Sequence, residues 1–189
     1  MPQLDHPTIV EAQSELTMSI LMTPDMANFS GNVHGGAILK LLDQVAYACA
    51  SRYAGTYVVT LSVDRVTFKQ PIYVGELVTF MASVNFVGNT SMEVGIKVVA
   101  EEIRAKVVRH VNSCYFTMIA VNDEGRPIPT TPLVPETPNE RRRWAAGQLR
   151  STLRKEIERR SLEIKQNPEE LLVSCPLPEI KLPGKQTPK

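Results

Sequence analysis

Along residues 14–121 the apolar positions change period repeatedly, and each change marks an element. Residues 14–22 (Ser-Glu-Leu-Thr-Met-Ser-Ile-Leu-Met) alternate, with Leu16 and Met18 in phase and Leu21 out of it. They predict a first strand, which Thr23-Pro24-Asp25 ends. From Gly35 to Tyr53 the spacing becomes helical: Ile38, Leu41, Leu42, Val45, Ala48 and Cys49 share one face at about 100° per residue. Asp43 falls on the other side, beside Gly36, Lys40, Tyr47 and Ala50. Period two then returns. In the run 57–69, Leu61 and Val63 set one parity and Val66 and Phe68 the other, so a bulge or bend is expected at Asp64-Arg65. Val78, Phe80, Ala82, Val84 and Phe86 alternate cleanly, and Gly88-Asn89-Thr90 turns the chain into Met92, Val94, Ile96, Val98 and Ala100. The run 107–121 is apolar on both parities and reads as a central strand covered on both faces.

The order is strand, long apolar helix, then four meandering strands. It predicts an α+β chain whose five- to six-stranded antiparallel sheet wraps a central helix, the hotdog fold. No internal repeat is present, so residues 10–135 form a single such domain. Pro127, Pro129, Pro132, Pro135 and Pro138 mark its end. Residues 136–165 then form a basic helix bearing Arg141, Arg142, Arg143, Arg150, Arg154, Lys155, Arg159 and Arg160. Its thin stripe of Trp144, Leu149, Leu153 and Ile157 needs a partner surface. Residues 166–189 are Pro-rich with little periodicity and are expected to be disordered.

Composition narrows the function. Hydrophobic content of 43% supports a packed core, and a net charge of +1 argues against wholesale binding of nucleic acid. The Arg-rich helix lacks interleaved aromatics apart from Trp144, so it reads as a solvated face or a subunit contact. No nucleic-acid partner is expected. Arg65, Lys69, Lys97, Arg104, Lys106 and Arg109 remain candidates for a phosphate-lining role. No apolar run approaches the ~18 residues of a membrane span, and no secretion signal is evident. Cys49, Cys114 and Cys175 are odd in number and lack C-x-x-C spacing, which predicts a reduced, cytoplasmic setting. His6, His34 and His110 show no ligand spacing, so no metal is expected. Phosphate-loop and dinucleotide fingerprints are missing, and no cofactor is expected.

The stretch from Asn28 to Asp43 carries the chemistry. A polar loop ends in Gly35-Gly36 and runs straight into the helix. Backbone N–H groups at that start are open to close approach and sit at the positive end of the dipole. A carboxylate two turns inside then completes a hydrolytic outline. Each residue also has a plain reading. Asp43 fits a solvated helix face, Asn28 and Asn32 fit turn formers, and His34 fits an N-terminal cap as well as a catalytic group.

Ala27-Asn28-Phe29-Ser30-Gly31-Asn32-Val33-His34-Gly35-Gly36, followed by Leu41-Leu42-Asp43, resembles the hotdog acyl-CoA thioesterases of the brain-type acyl-CoA hydrolase (BACH) and YciA group. Val59-Thr60-Leu61-Ser62-Val63-Asp64 and Thr90-Ser91-Met92-Glu93 resemble that group's next two signatures. The likeness covers about residues 14–160 and is nearest the bacterial single-hotdog enzymes, such as the neisserial one. It implies hydrolysis of acyl-CoA to fatty acid and coenzyme A. It also implies that Asn28 and Asp43 are the essential pair, acting across a subunit interface, with a dimer required and a trimer of dimers expected. Some bacterial members respond to coenzyme A or guanine nucleotides. In this reading Asn28 and the Gly36 N–H polarise the thioester carbonyl, and Asp43 is general base or nucleophile. His34, Gly35, Gly36, Ser62, Val63, Asp64, Thr90 and Ser91 are the candidate substrate-binding residues. Two alternatives stay open. One is a hotdog dehydratase or hydratase pairing His34 with Asp43. The other is a non-catalytic module binding coenzyme A or a nucleotide.

Overall fold

A computed structural model describes residues 13–166. Five strands and two long helices follow the predicted order: β1 (Glu15–Leu21), α1 (Gly35–Ala54), β2 (Tyr57–Val63), β3 (Leu77–Val87), β4 (Ser91–Glu102), β5 (Val107–Val121) and α2 (Pro138–Gln166). The strands form one antiparallel sheet in the order β1-β3-β4-β5-β2, which leaves β1 and β2 at the edges. This is the hotdog fold. The described residues divide into two compact units between Gly147 and Gln148.

α1 packs its apolar face on all five strands. Ile38, Leu42, Val45 and Cys49 are buried there against Val78, Phe80, Met92, Val94, Phe116 and Met118. Ala46 and Ala50 are wholly buried too, so these small residues serve close packing inside the domain. Ala48, expected on the apolar face, is only half-buried. The helix ends at Gly55, whose φ of 67° is the left-handed cap that glycine adopts most readily.

Two expectations need correction. β2 stops at Val63, and its register shift lies between Thr60 and Ser62, making Leu61 the extra residue. Residues 64–69 meet β5 at separate points, through Asp64 N–H to Tyr115 O, Lys69 N–H to Val111 O and the Asn112 side-chain N–H to Thr67 O. That spacing is too sparse to continue the ladder. The stripe expected on α2 also divides. Trp144 stacks edge to face on Phe86, at 5.7 Å between centroids. Leu149 lies five residues on, about 140° round the helix, and it is exposed together with Leu153 and Ile157. α2 opens with a reciprocal cap: Glu140 N–H donates to Thr137 Oγ1, and Thr137 N–H donates to Glu140 Oε2. Its basic charge is partly neutralised along its own length, where Arg159 and Arg160 both pair with Glu156. The expected tail, with Cys175, lies outside the described residues apart from Gln166.

Candidate active site

The loop before α1 is closed by its own backbone. Asn28 N–H donates to Asn32 O at 2.6 Å, Gly31 N–H donates to Asn28 O, and Val33 N–H reaches Ile72 O on the neighbouring segment. The Asn28 side chain adds an Asx turn, with Oδ1 accepting from Ser30 N–H at 2.9 Å and Asn32 N–H at 3.2 Å. With Oδ1 engaged by two backbone N–H groups, the carboxamide N–H2 is the end of the side chain left to donate. The turn role and the donor role expected of Asn28 are therefore compatible. Phe29, next to it, is fully exposed.

His34 is the N-cap of α1, and its Nδ1 accepts from Gly36 N–H at 2.8 Å. This corrects the expectation that the Gly36 N–H stands free: in the single chain it already has a partner. A Cβ on Gly36 would stand 3.0 Å from His34 Nδ1, so a glycine here is what lets the imidazole cap the helix. At Gly35 a Cβ would meet only the edge of the Phe68 ring, at 3.6 Å.

Asp43 lies two turns along α1. Its Oδ1 accepts a 2.7 Å hydrogen bond from Thr60 Oγ1 on β2. Thr60 is a residue the sequence reading passed over in favour of Ser62, Val63 and Asp64. Its parity was the available signal, because Thr60 alternates with buried Val58 and so faces the helix. Asp43 and Thr60 line a cavity of about 300 Å³ with Gln44, Tyr47, Tyr57, Val58 and Val59.

The other predicted residues are not all gathered there. Ser62 and Val63 follow Thr60 along β2, and Asp64 is tied by its N–H to Tyr115 O. Thr90 and Ser91 sit at the β3–β4 turn. Ser91 aligns through Ile119 of β5 with Val59, two strands away, which is roughly 10 Å. Its parity is opposite to that of Met92, the residue in line with Thr60, so one chain does not bring it to the carboxylate. Arg109 drops out as a phosphate ligand, because its guanidinium pairs with Glu76 at 2.5 Å and bonds Pro71 O at 2.7 Å. His34 and Asp43 stand nine residues apart along one chain, roughly 13 Å, so a single chain does not pair them as a dehydratase would need. Cys49 and Cys114 offer no nucleophile, since burial pushes both thiols up to about 12. Among the described residues no cluster of His, Cys, Asp or Glu is built for a metal ion, and no helix is long and apolar enough to cross a membrane.

Residues 30–107 match the model of the thioesterase superfamily. Protein VdlD of Helicobacter pylori is 52% identical over 142 residues, covering 75% of this chain and 81% of VdlD. The uncharacterized acyl-CoA thioester hydrolase YkhA of Bacillus subtilis is 30% identical over 128 residues, covering 68% and 74%. A hexameric acyl-CoA thioesterase, solved in its apo form, superposes with a TM-score of 0.74 at 30% identity, covering 76% of this chain and 92% of its own. The acyl-CoA hydrolase of Staphylococcus aureus, solved with butyryl coenzyme A and coenzyme A, gives 0.72 at 29% identity, covering 83% and 94%. That hydrolase has also been solved as Asp43→Ala, Asn28→Ala and Thr60→Ala variants in its own numbering. The same residue types stand at those numbers here.

Proposed function

The chain belongs to the thioesterase superfamily as an acyl-CoA thioester hydrolase, and from that we propose that Asp43 is its reactive carboxylate. The observation that carries this is the Asp43–Thr60 hydrogen bond in the lining of a cavity of about 300 Å³. Thr60 holds Oδ1, which leaves Oδ2 as the free basic oxygen. Acting as general base, Asp43 takes a proton from water as the water oxygen bonds to the carbonyl carbon. Acting as nucleophile, it forms a mixed anhydride that water then opens. In either route the carbonyl oxygen gains negative charge and the C–S bond breaks to release coenzyme A as a thiolate. A thiolate is a good leaving group, so no strong general acid is required.

Asn28 is the proposed donor to the oxyanion, through its N–H2. The Gly36 N–H joins it once His34 turns aside. Each such donor is worth roughly 3–4 kcal/mol. Gly36 and Asp43 are seven residues apart on α1, roughly 10 Å. Donors at the start of one helix therefore cannot serve a carbonyl lying against the carboxylate of the same helix. This supports a site shared between two copies, one giving the Asn28 loop and the other Asp43. Free edge strand β2, with Tyr57, Val59, Leu61 and Val63 exposed, supports the same reading. We further propose that dimers group in threes, that the reaction belongs to the cytosol, and that residues 10–135 carry it. Ser62, Val63, Asp64, Thr90 and Ser91 are proposed to line the path of the pantetheine arm, the last two from a neighbouring copy. A guanine nucleotide or coenzyme A is the proposed effector.

Thiol release from an acyl-CoA tests the assignment. Asp43→Ala and Asn28→Ala are each expected to lose most turnover while keeping the assembly. Mixing the two inactive variants under subunit exchange should restore part of it, because some mixed dimers keep one intact site. No recovery after verified exchange overturns the shared site.

A further inference from the structure

The cavity lined by Asp43 is also lined by a pair of aromatic rings, Tyr47 and Tyr57. Tyr47 is one turn from Asp43 on α1, so the two side chains lie on one stripe. Tyr57 is three residues from Thr60 on β2, roughly 10 Å along the strand. The two rings meet edge to face, 5.9 Å between centroids and 63° apart in plane. They stand 41% and 61% exposed, so either ring can be shortened without opening a void in the core.

What occupies this end follows from the lining. An acyl-CoA has two parts on either side of its thioester, a carrier bearing phosphates and a hydrocarbon chain. Asp43, Gln44, Tyr47, Tyr57, Val58, Val59 and Thr60 include no cation, and the single charge is a carboxylate. Phosphates would be repelled there. A volume of about 300 Å³ lies at the low end for a ligand site and could not take the carrier. We propose that the Tyr47–Tyr57 pair is the end stop of the acyl-chain channel and sets the chain length hydrolysed best. The proposal rests on Asp43 being the reactive carboxylate. The thioester sits against Asp43, the acyl chain runs toward the rings, and the carrier leaves along β2 in the opposite direction, past Ser62.

A stop of this kind acts on the ratio of rates between chain lengths. Each further methylene that finds a buried place adds roughly fourfold to kcat/KM, from about 0.8 kcal/mol. The test measures kcat/KM by thiol release over a series of straight-chain acyl-CoA substrates, with assembly followed by sedimentation. Tyr47→Ala and Tyr57→Ala should move the optimum to longer chains. Tyr47→Trp should move it to shorter ones, and Tyr47→Phe, which keeps the ring, should leave the profile in place. Opposite shifts for the larger and smaller side chains are what a merely structural role would not produce. If the alanine variants scale the whole series by one factor with the optimum unmoved, the end stop is wrong. If the wild-type protein hydrolyses no member of the series, or if Asp43→Ala keeps full activity, the underlying reading fails instead.

Discussion

At the scale of single residues, Thr60 separates geometry from composition. Its hydroxyl contributes one hydrogen bond to a charged group, worth about 1.5–3 kcal/mol. Both partners are exposed in the single chain, so little of that is expected in folding stability. The bond matters for aiming the carboxylate. Thr60→Val keeps the branched shape and removes the hydroxyl; it should lower kcat roughly tenfold to a hundredfold with little change in the melting temperature. Thr60→Ser should recover most of the loss, and a valine variant with wild-type kcat would remove Thr60 from the site. Sequence reading singled out Asn28 and Asp43 through the family resemblance, since by propensity alone they fit a turn former and a solvated helix face. Thr60 escaped it, since a threonine in a run of β-branched residues is an ordinary strand residue. Its meaning depends on facing Asp43 across a helix–strand contact that no spacing within the strand reports. At Gly36 the glycine also makes room for the His34 cap, which a reading of open backbone N–H groups leaves out.

Among elements, the Asn28 loop is braced from outside by residues 71–76. Asn32 pairs with Tyr73, and Val33 N–H bonds Ile72 O. That segment is in turn clamped to β5. Arg109 donates from two nitrogens to the Glu76 carboxylate, Tyr73 N–H donates to Glu76 Oε2 at 2.9 Å, and the guanidinium lies 5.3 Å from the Tyr73 ring centroid. Burial alone would push the Glu76 carboxyl up, but the hydrogen bonds from Arg109 and Tyr73 and the Arg109 charge outweigh it and hold the group below its ordinary 4.5. A depressed carboxyl stabilises the fold fully above that ordinary value and loses its contribution as pH falls through the lower folded value. Urea unfolding should therefore show wild type losing stability in acid faster than Glu76→Gln, which starts less stable at pH 7. Arg109→Met, leaving a buried carboxylate unpaired, should cost about 3 kcal/mol at pH 7. Equal pH slopes for wild type and Glu76→Gln would refute the clamp. Periodicity located every strand, yet the end of β2 and the split face of α2 were illegible. A pattern gives the phase of side chains around an element, whereas the surface each face meets is decided by chain that is distant in sequence. Trp144 goes to Phe86 and Leu149 to solvent for that reason.

For the whole molecule, the apolar surface outside the core raises the question of assembly. Phe29 stands fully exposed beside Asn28, and Leu61 is 66% exposed on an edge strand whose N–H and C=O groups face outward. Burying one such side chain against a second copy contributes on the order of 1.5–3 kcal/mol, and an open strand edge is itself a template for pairing. The same edge carries Thr60, so pairing there would bring a second chain to the cavity that holds Asp43. Assembly and chemistry then become one event. Leu61→Lys places a charge on the edge without touching the helix that carries Asp43, and it should shift sedimentation toward the monomer. Turnover per chain should fall in step with the dimer fraction, and both should return as protein concentration rises. A variant that sediments as a monomer and keeps wild-type turnover would show that one chain holds a complete site. A variant that stays fully assembled would show that the contact between copies lies elsewhere on the chain.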